Sequence, residues 1–174
     1  VTSYYQRYYE ATRELAPNIG VYLKAPVIQG DKITNIHLYN AIGYVLDSKD
    51  QPDYMYLKDK NIKEYLLGAY KCLLERALHC ASYHKVGRVI IPVIDGGAFS
   101  LLYPGGGEAF REEVFLPAFK LAIKNYYKTM EIDFMGDKND TVIKTLSKTG
   151  HKYVGYFPDF IYSKDFNPAN TLVV

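Results

Sequence analysis

Six consecutive residues, Asp95-Gly96-Gly97-Ala98-Phe99-Ser100, concentrate the chemical potential of this chain. Adjacent glycines permit positive φ and leave backbone N–H groups uncovered, so they can form a concave nest for a phosphate. Phe99 offers a flat apolar face for a sugar or a base, and Asp95 is the carboxylate at the loop. Read from the residues alone, a carboxylate there caps the following turn through bonds to its backbone. The same residues also read as a tight turn leaving a buried strand, with no ligand at all.

Other chemical signals are weaker. Gly105-Gly106-Gly107 precedes Glu108 and reads as a surface loop, since Glu108 itself can serve the helix start that the glycines would otherwise offer to an anion. The four histidines, His37, His79, His84 and His151, show no ligand spacing and pair with neither cysteine, so the sequence points to no metal. Neither a G-x-S-x-G nucleophile turn nor a P-loop occurs. Cys72 and Cys80 fall in one helical pattern about 12 Å apart, too far for a disulfide.

These residues need elements to hold them. The run 88–94, RVIIPVI, is apolar on both faces, as a central parallel strand is. Before it, residues 62–82 place Ile62, Leu66, Ala69, Tyr70, Leu73, Ala77 and Cys80 on one stripe, which predicts a long core-facing helix. After it, 108–127 predicts a second helix in which Pro117 brings a kink or a late restart. Further strands are expected at 40–46, 130–135, 153–162 and 171–174, and an edge segment at 21–28 that is broken by Pro26 and followed by a Gly30-Asp31 turn. A helix is expected at 4–16 and another at 140–147, capped by Asp140 or Thr141. Strands alternating with helices imply an α/β fold: a mixed, mostly parallel central sheet flanked by helices.

The 174 residues suit a single domain. With 48% hydrophobic and 23% charged residues the chain can offset its conformational entropy, which excludes disorder as its main state. Its 21 Lys and Arg against 19 Asp and Glu are scattered, so nucleic-acid binding by bulk charge is not expected. No run approaches the roughly 18 apolar residues of a membrane span, and the start, VTSYYQRYYEATRE, lacks a signal-peptide core. The expected setting is a reducing cytoplasm, including a host cytosol if the protein is delivered there. The start without Met and the apolar finish at 171–174 read as a piece of a longer chain whose further domains are partners.

The segments NAIGYVLDSKDQPDYMYL, NIKEYLLGAYKCLLERALHCA, RVIIPVIDGGAFS, FREEVFLPAFKLAIK and EIDFMGDKNDTVIKTL, over roughly residues 34–148, resemble the C-terminal half of macrodomains, the ADP-ribose-binding family. Ala69, Tyr70, Leu73 and Ala77 match the helix pattern, Pro92 the strand end, and Gly97-Ala98-Phe99 the loop that wraps the diphosphate and distal ribose. Asp95 stands where the family has a small residue, and Ser100 where it has a later glycine. The resemblance implies a three-layer sandwich that takes ADP-ribose, or an ADP-ribosylated protein, without a cofactor. It also implies hydrolytic removal of ADP-ribose where the site is catalytic. Asp95 would then be the catalytic carboxylate; Asp95, Gly96, Gly97, Ala98, Phe99 and Ser100 the ligand loop; and Phe134 the ring on adenine. The alternative is a non-catalytic interaction domain that meets its partner through a surface drawn from 18 tyrosines.

Overall fold

The computed structural model describes residues 20–126 and 128–174, so the helix expected at 4–16 lies outside the described residues. The chain opens on a hairpin. β1 (Gly20–Gln29) and β2 (Lys32–Ala41) pair antiparallel from Gly20↔Ala41 to Gln29↔Lys32, and Gly30 turns between them at φ +57°. Pro26 is accommodated because β1 is an edge strand, where a missing N–H costs no ladder bond on the outer side.

Helices α1 (Pro52–Leu57) and α2 (Ile62–Tyr83) then lead to β3 (Arg88–Pro92). Helix α3 (Gly106–Phe110), a π turn (Arg111–Phe115) and α4 (Leu116–Ile123) follow one another on the way to β4 (Glu131–Met135). Helices α5 (Thr141–Ser147) and α6 (Phe157–Ile161) bring the chain back to β5 (Thr171–Val173), which inserts into the middle of the sheet. The order is β1-β2-β5-β3-β4, and β2, β5, β3 and β4 all run parallel. The fold is therefore α/β, with a five-stranded mixed and mostly parallel sheet.

Alternation along the strands divides the core. Val89 and Ile91 of β3 and Leu172 of β5 enter a large cluster beneath α2, α4 and α5. Ile90 and Val173 enter a small one closed by Phe160 and Ile161 of α6, joined by Ile36 from β2. A strand apolar on both faces is what two covering layers require. The expected stripe of α2 buries Leu66, Ala69, Tyr70, Leu73 and Ala77, while Ile62 and Cys80 are only half-buried and Leu74, Leu78 and Ala81 widen it. Leu73 is 1% exposed. Leu73→Ala should therefore lower unfolding free energy by roughly 2–5 kcal/mol in urea denaturation; an unchanged midpoint would contradict this packing.

Two sequence expectations need correction. The strand placed at 40–46 instead runs Lys32–Ala41, and 42–46 leaves the sheet to pair with the loop beyond β3. There the Leu46 N–H donates to the Phe99 carbonyl at 2.6 Å and the Leu102 N–H to that of Leu46 at 2.8 Å. The segment 153–162 is not a strand: Tyr153 makes one isolated bridge to Phe134, and Phe157–Ile161 is helical. Pro158 suits the first turn of that helix, and Asp159 caps it by accepting the Tyr156 N–H at 2.8 Å. The irregularity foreseen at Pro117 takes the form of the π turn just before it, a wider turn that accommodates the missing N–H.

Candidate functional site

Because four strands are parallel, Ala41, Pro92, Met135 and Val173 end on the same edge of the sheet. In open α/β sheets that edge is where ligands bind. The loops after β2, β3 and β4 gather there, and the loop 93–100 lies among them.

This loop starts with a turn closed by the Gly96 N–H on the Val93 carbonyl at 3.3 Å. The positive φ expected of its glycines belongs to Asp95, at +55°, whereas Gly97 sits at −111°. Aspartate is among the few residues that tolerate this region, and here its carboxylate is held from outside the loop. It accepts a short hydrogen bond from the Tyr70 hydroxyl, which in turn accepts the Tyr44 N–H at 3.1 Å. Tyr70 is 1% exposed. Burial, and after it the charge and bond of Asp95, push its phenol well above the usual range. Gly43 completes the clamp: a Cβ there would collide with the Asp95 carboxylate and come within 2.7 Å of the Tyr70 hydroxyl.

Beyond the clamp the chain turns outward. Gly97, Ala98 and Phe99 are exposed, and Ser100 is buried with its hydroxyl donating to the Gly97 carbonyl at 3.0 Å. Among the described residues the N–H groups of Gly97, Ala98 and Phe99 make no hydrogen bond. Three consecutive unpaired donors on an exposed crest can receive an anion.

The sequence reading missed the residue beneath this crest. Arg111, in the π turn, donates a short hydrogen bond to the Gly96 carbonyl, and its Nε lies 3.4 Å from Asp140 Oδ2 in the loop after β4. Gly105–Gly107 is not a separate surface loop: a Cβ on Gly107 would stand 3.0 Å from Ser100 Oγ and 3.4 Å from the Gly97 carbonyl. Gly105 and Gly106 hold φ of +87° and +77°, which turns the chain into α3 against the crest.

Asp53, in α1, was likewise unforeseen. It is 4% exposed and accepts the Val45 N–H at 2.7 Å, so it lies behind the same segment that Gly43 and Tyr44 belong to. Burial pushes its carboxyl from 3.8 up to about 6; the Val45 bond opposes the shift, and the charge of Asp95 adds to it. A raised folded value means that the contribution to stability is complete below the unfolded value and is lost as pH rises through about 6. At 1.36 kcal/mol per pKa unit the loss is about 3 kcal/mol. Asp53→Asn keeps an acceptor for Val45, so the stability difference between variant and wild type should rise by about that amount from pH 4 to 7.5. Urea denaturation across this range checks it, and a pH-independent difference would contradict the assignment.

Phe134 does not reach the site. It is 1% exposed and packs edge-on against Phe119 at 4.7 Å between centroids and against His151 at 5.8 Å. Period-two alternation along β4 turns Ile132 and Phe134 into the core, so this ring has no face open to an adenine. Among the described residues, cavities away from the loop include one of about 340 Å³ beside Ile123, Glu131 and His151 and one of about 210 Å³ beside Arg88, Phe160 and Phe166. Among the described residues no three His, Cys, Asp or Glu side chains are grouped to hold a metal, and no helix is long and apolar enough to cross a membrane.

No model of a known protein family, no curated protein and no solved structure matches the chain.

Proposed function

We propose that the chain is a macrodomain-like, three-layer module that binds ADP-ribose on the loop 95–100, and that Asp95 serves hydrolytic release of ADP-ribose from modified proteins. The observation that carries this reading is the crest itself: three unpaired N–H groups, at Gly97, Ala98 and Phe99, beyond the carboxyl end of a central parallel strand. Such donors suit the diphosphate, the half-exposed Phe99 ring suits a ribose, and Asp95 is the carboxylate at their base. In the hydrolytic step Asp95 takes a proton from the water whose oxygen bonds to the anomeric carbon of the distal ribose as the bond to the protein side chain breaks, and that proton then passes to the departing side chain. The substrate class is thus an ADP-ribosylated protein, and ADP-ribose is the product that remains bound.

A thermal melt with ADP-ribose tests the binding. At ligand one hundred times its dissociation constant the complex gains about 2.7 kcal/mol, which for a chain of this size is a rise of about 5–10 °C. AMP, without the diphosphate, should give a smaller rise. No rise with either nucleotide would favour an interaction domain, for which exposed tyrosines such as Tyr83, Tyr156 and Tyr162, at 76%, 55% and 47%, are available as contacts.

A further inference from the structure

We propose that Arg111 is a positioning residue for the anion-binding crest, holding the Gly96–Gly97 peptide so that the Gly97 N–H faces the ligand; this rests on the ADP-ribose reading and deepens it. The described residues contain no cis peptide bond. In a trans peptide the carbonyl of one residue and the N–H of the next point in opposite directions. The Gly96 carbonyl is turned inward onto the Arg111 guanidinium, so the Gly97 N–H is turned outward.

The surroundings of Arg111 fit this role. Its stem crosses Gly96 closely enough that a Cβ there would come within 3.2 Å of the Arg111 Cγ and Cδ. Gly107 leaves room on the other side, where a Cβ would stand 3.6 Å from Arg111 Nη1. Asp140, whose Oδ1 accepts the N–H groups of Val142 and Ile143 at the start of α5, places its other oxygen 3.4 Å from Arg111 Nε, an ion pair without a hydrogen bond. Gly96 and Gly107, one from each glycine-rich segment, thus both border the Arg111 side chain. Arg111 is the first residue of the π turn, a kind of turn frequent at functional sites.

A peptide flanked by glycines on both sides flips readily when nothing holds it. Without the guanidinium the binding-competent orientation becomes a fraction of the population, and apparent affinity falls by that fraction. Arg111→Met keeps the stem over Gly96 and removes the donors, whereas Arg111→Lys keeps a cationic donor for the carbonyl.

The test combines amide NMR of the ligand-free protein with calorimetric titration of ADP-ribose. Wild type should give one sharp Gly97 amide signal. Arg111→Met should split or broaden it and weaken ADP-ribose by tenfold or more, and Arg111→Lys should restore one signal and affinity to within about threefold. A sharp, unmoved Gly97 signal in Arg111→Met, or wild-type affinity in that variant, would overturn the proposal. If Arg111→Met does not fold, Arg111→Lys decides alone, and a broadened signal with weak binding in it counts against the inference. Wild type that fails to bind ADP-ribose removes the ligand reading, while the ligand-free Gly97 signal still reports whether Arg111 holds the peptide.

Discussion

Gly97→Val should weaken ADP-ribose binding by at least 100-fold in protein that still folds, with a smaller loss of stability than Gly96→Val. The separation rests on where Gly97 sits. A Cβ at this position meets no atom within 4 Å, so no neighbour stands where a side chain would go. That room is the ligand's. Branched methyl groups on the crest would cover the N–H groups of Gly97 and Ala98 and hold a diphosphate beyond hydrogen-bond distance. Gly96→Val provides the contrast, because its Cβ would lie 2.6 Å from the Val93 side chain and 3.2 Å from that of Arg111. That change should lower stability and affinity together. Unchanged affinity in the Gly97 variant, measured by calorimetry on folded protein, would reduce the loop to a turn.

Asp95→Asn should slow release of ADP-ribose from a modified protein by 10²- to 10⁴-fold, the usual scale for loss of a general base. The amide oxygen can still accept the Tyr70 hydroxyl, so melting temperature and ADP-ribose affinity should change little. Asp95→Ala asks a different question. It strips a buried phenol of the acceptor it has in the native fold, which costs about 1–3 kcal/mol of stability on top of the lost turnover. If Asp95 only clamps the loop, the asparagine variant turns over at the wild-type rate and only the alanine variant suffers. Stability, affinity and single-turnover rate measured on the two proteins separate these roles.

Legibility in the sequence followed the range of the interactions. Helix α2 and strand β3 announced themselves because burial periodicity is local: Leu66, Leu73 and Ala77 recur on one helical face, and the four residues after Arg88 in β3, VIIP, are apolar without a break. The site was only half legible. The 95–100 segment stands out by its glycines, but what shapes it comes from far along the chain: Tyr70 lies 25 residues from Asp95 and Arg111 lies 15 from Gly96. Tyr70 in particular reads as one more core aromatic, since nothing in a helical stripe distinguishes a phenol that packs from one that also donates to a carboxylate. Gly43 carries no local turn signal, and its identity is dictated by the oxygen that occupies the place of a side chain. Asp53 looks like an ordinary acidic residue in the first turn of a helix, and only the buried backing of the 43–46 segment makes it unusual. Phe134 shows the converse error, in which an aromatic near a strand end suggested stacking although strand alternation sends it inward.

The most direct measurement is a crystal structure of the protein grown with ADP-ribose. The account predicts diphosphate oxygens about 3 Å from the N–H groups of Gly97, Ala98 and Phe99, with the distal ribose beside Phe99 and Asp95. Diphosphate density in the cavity beside Ile123 and His151, or a crest left empty at saturating ligand, would contradict it.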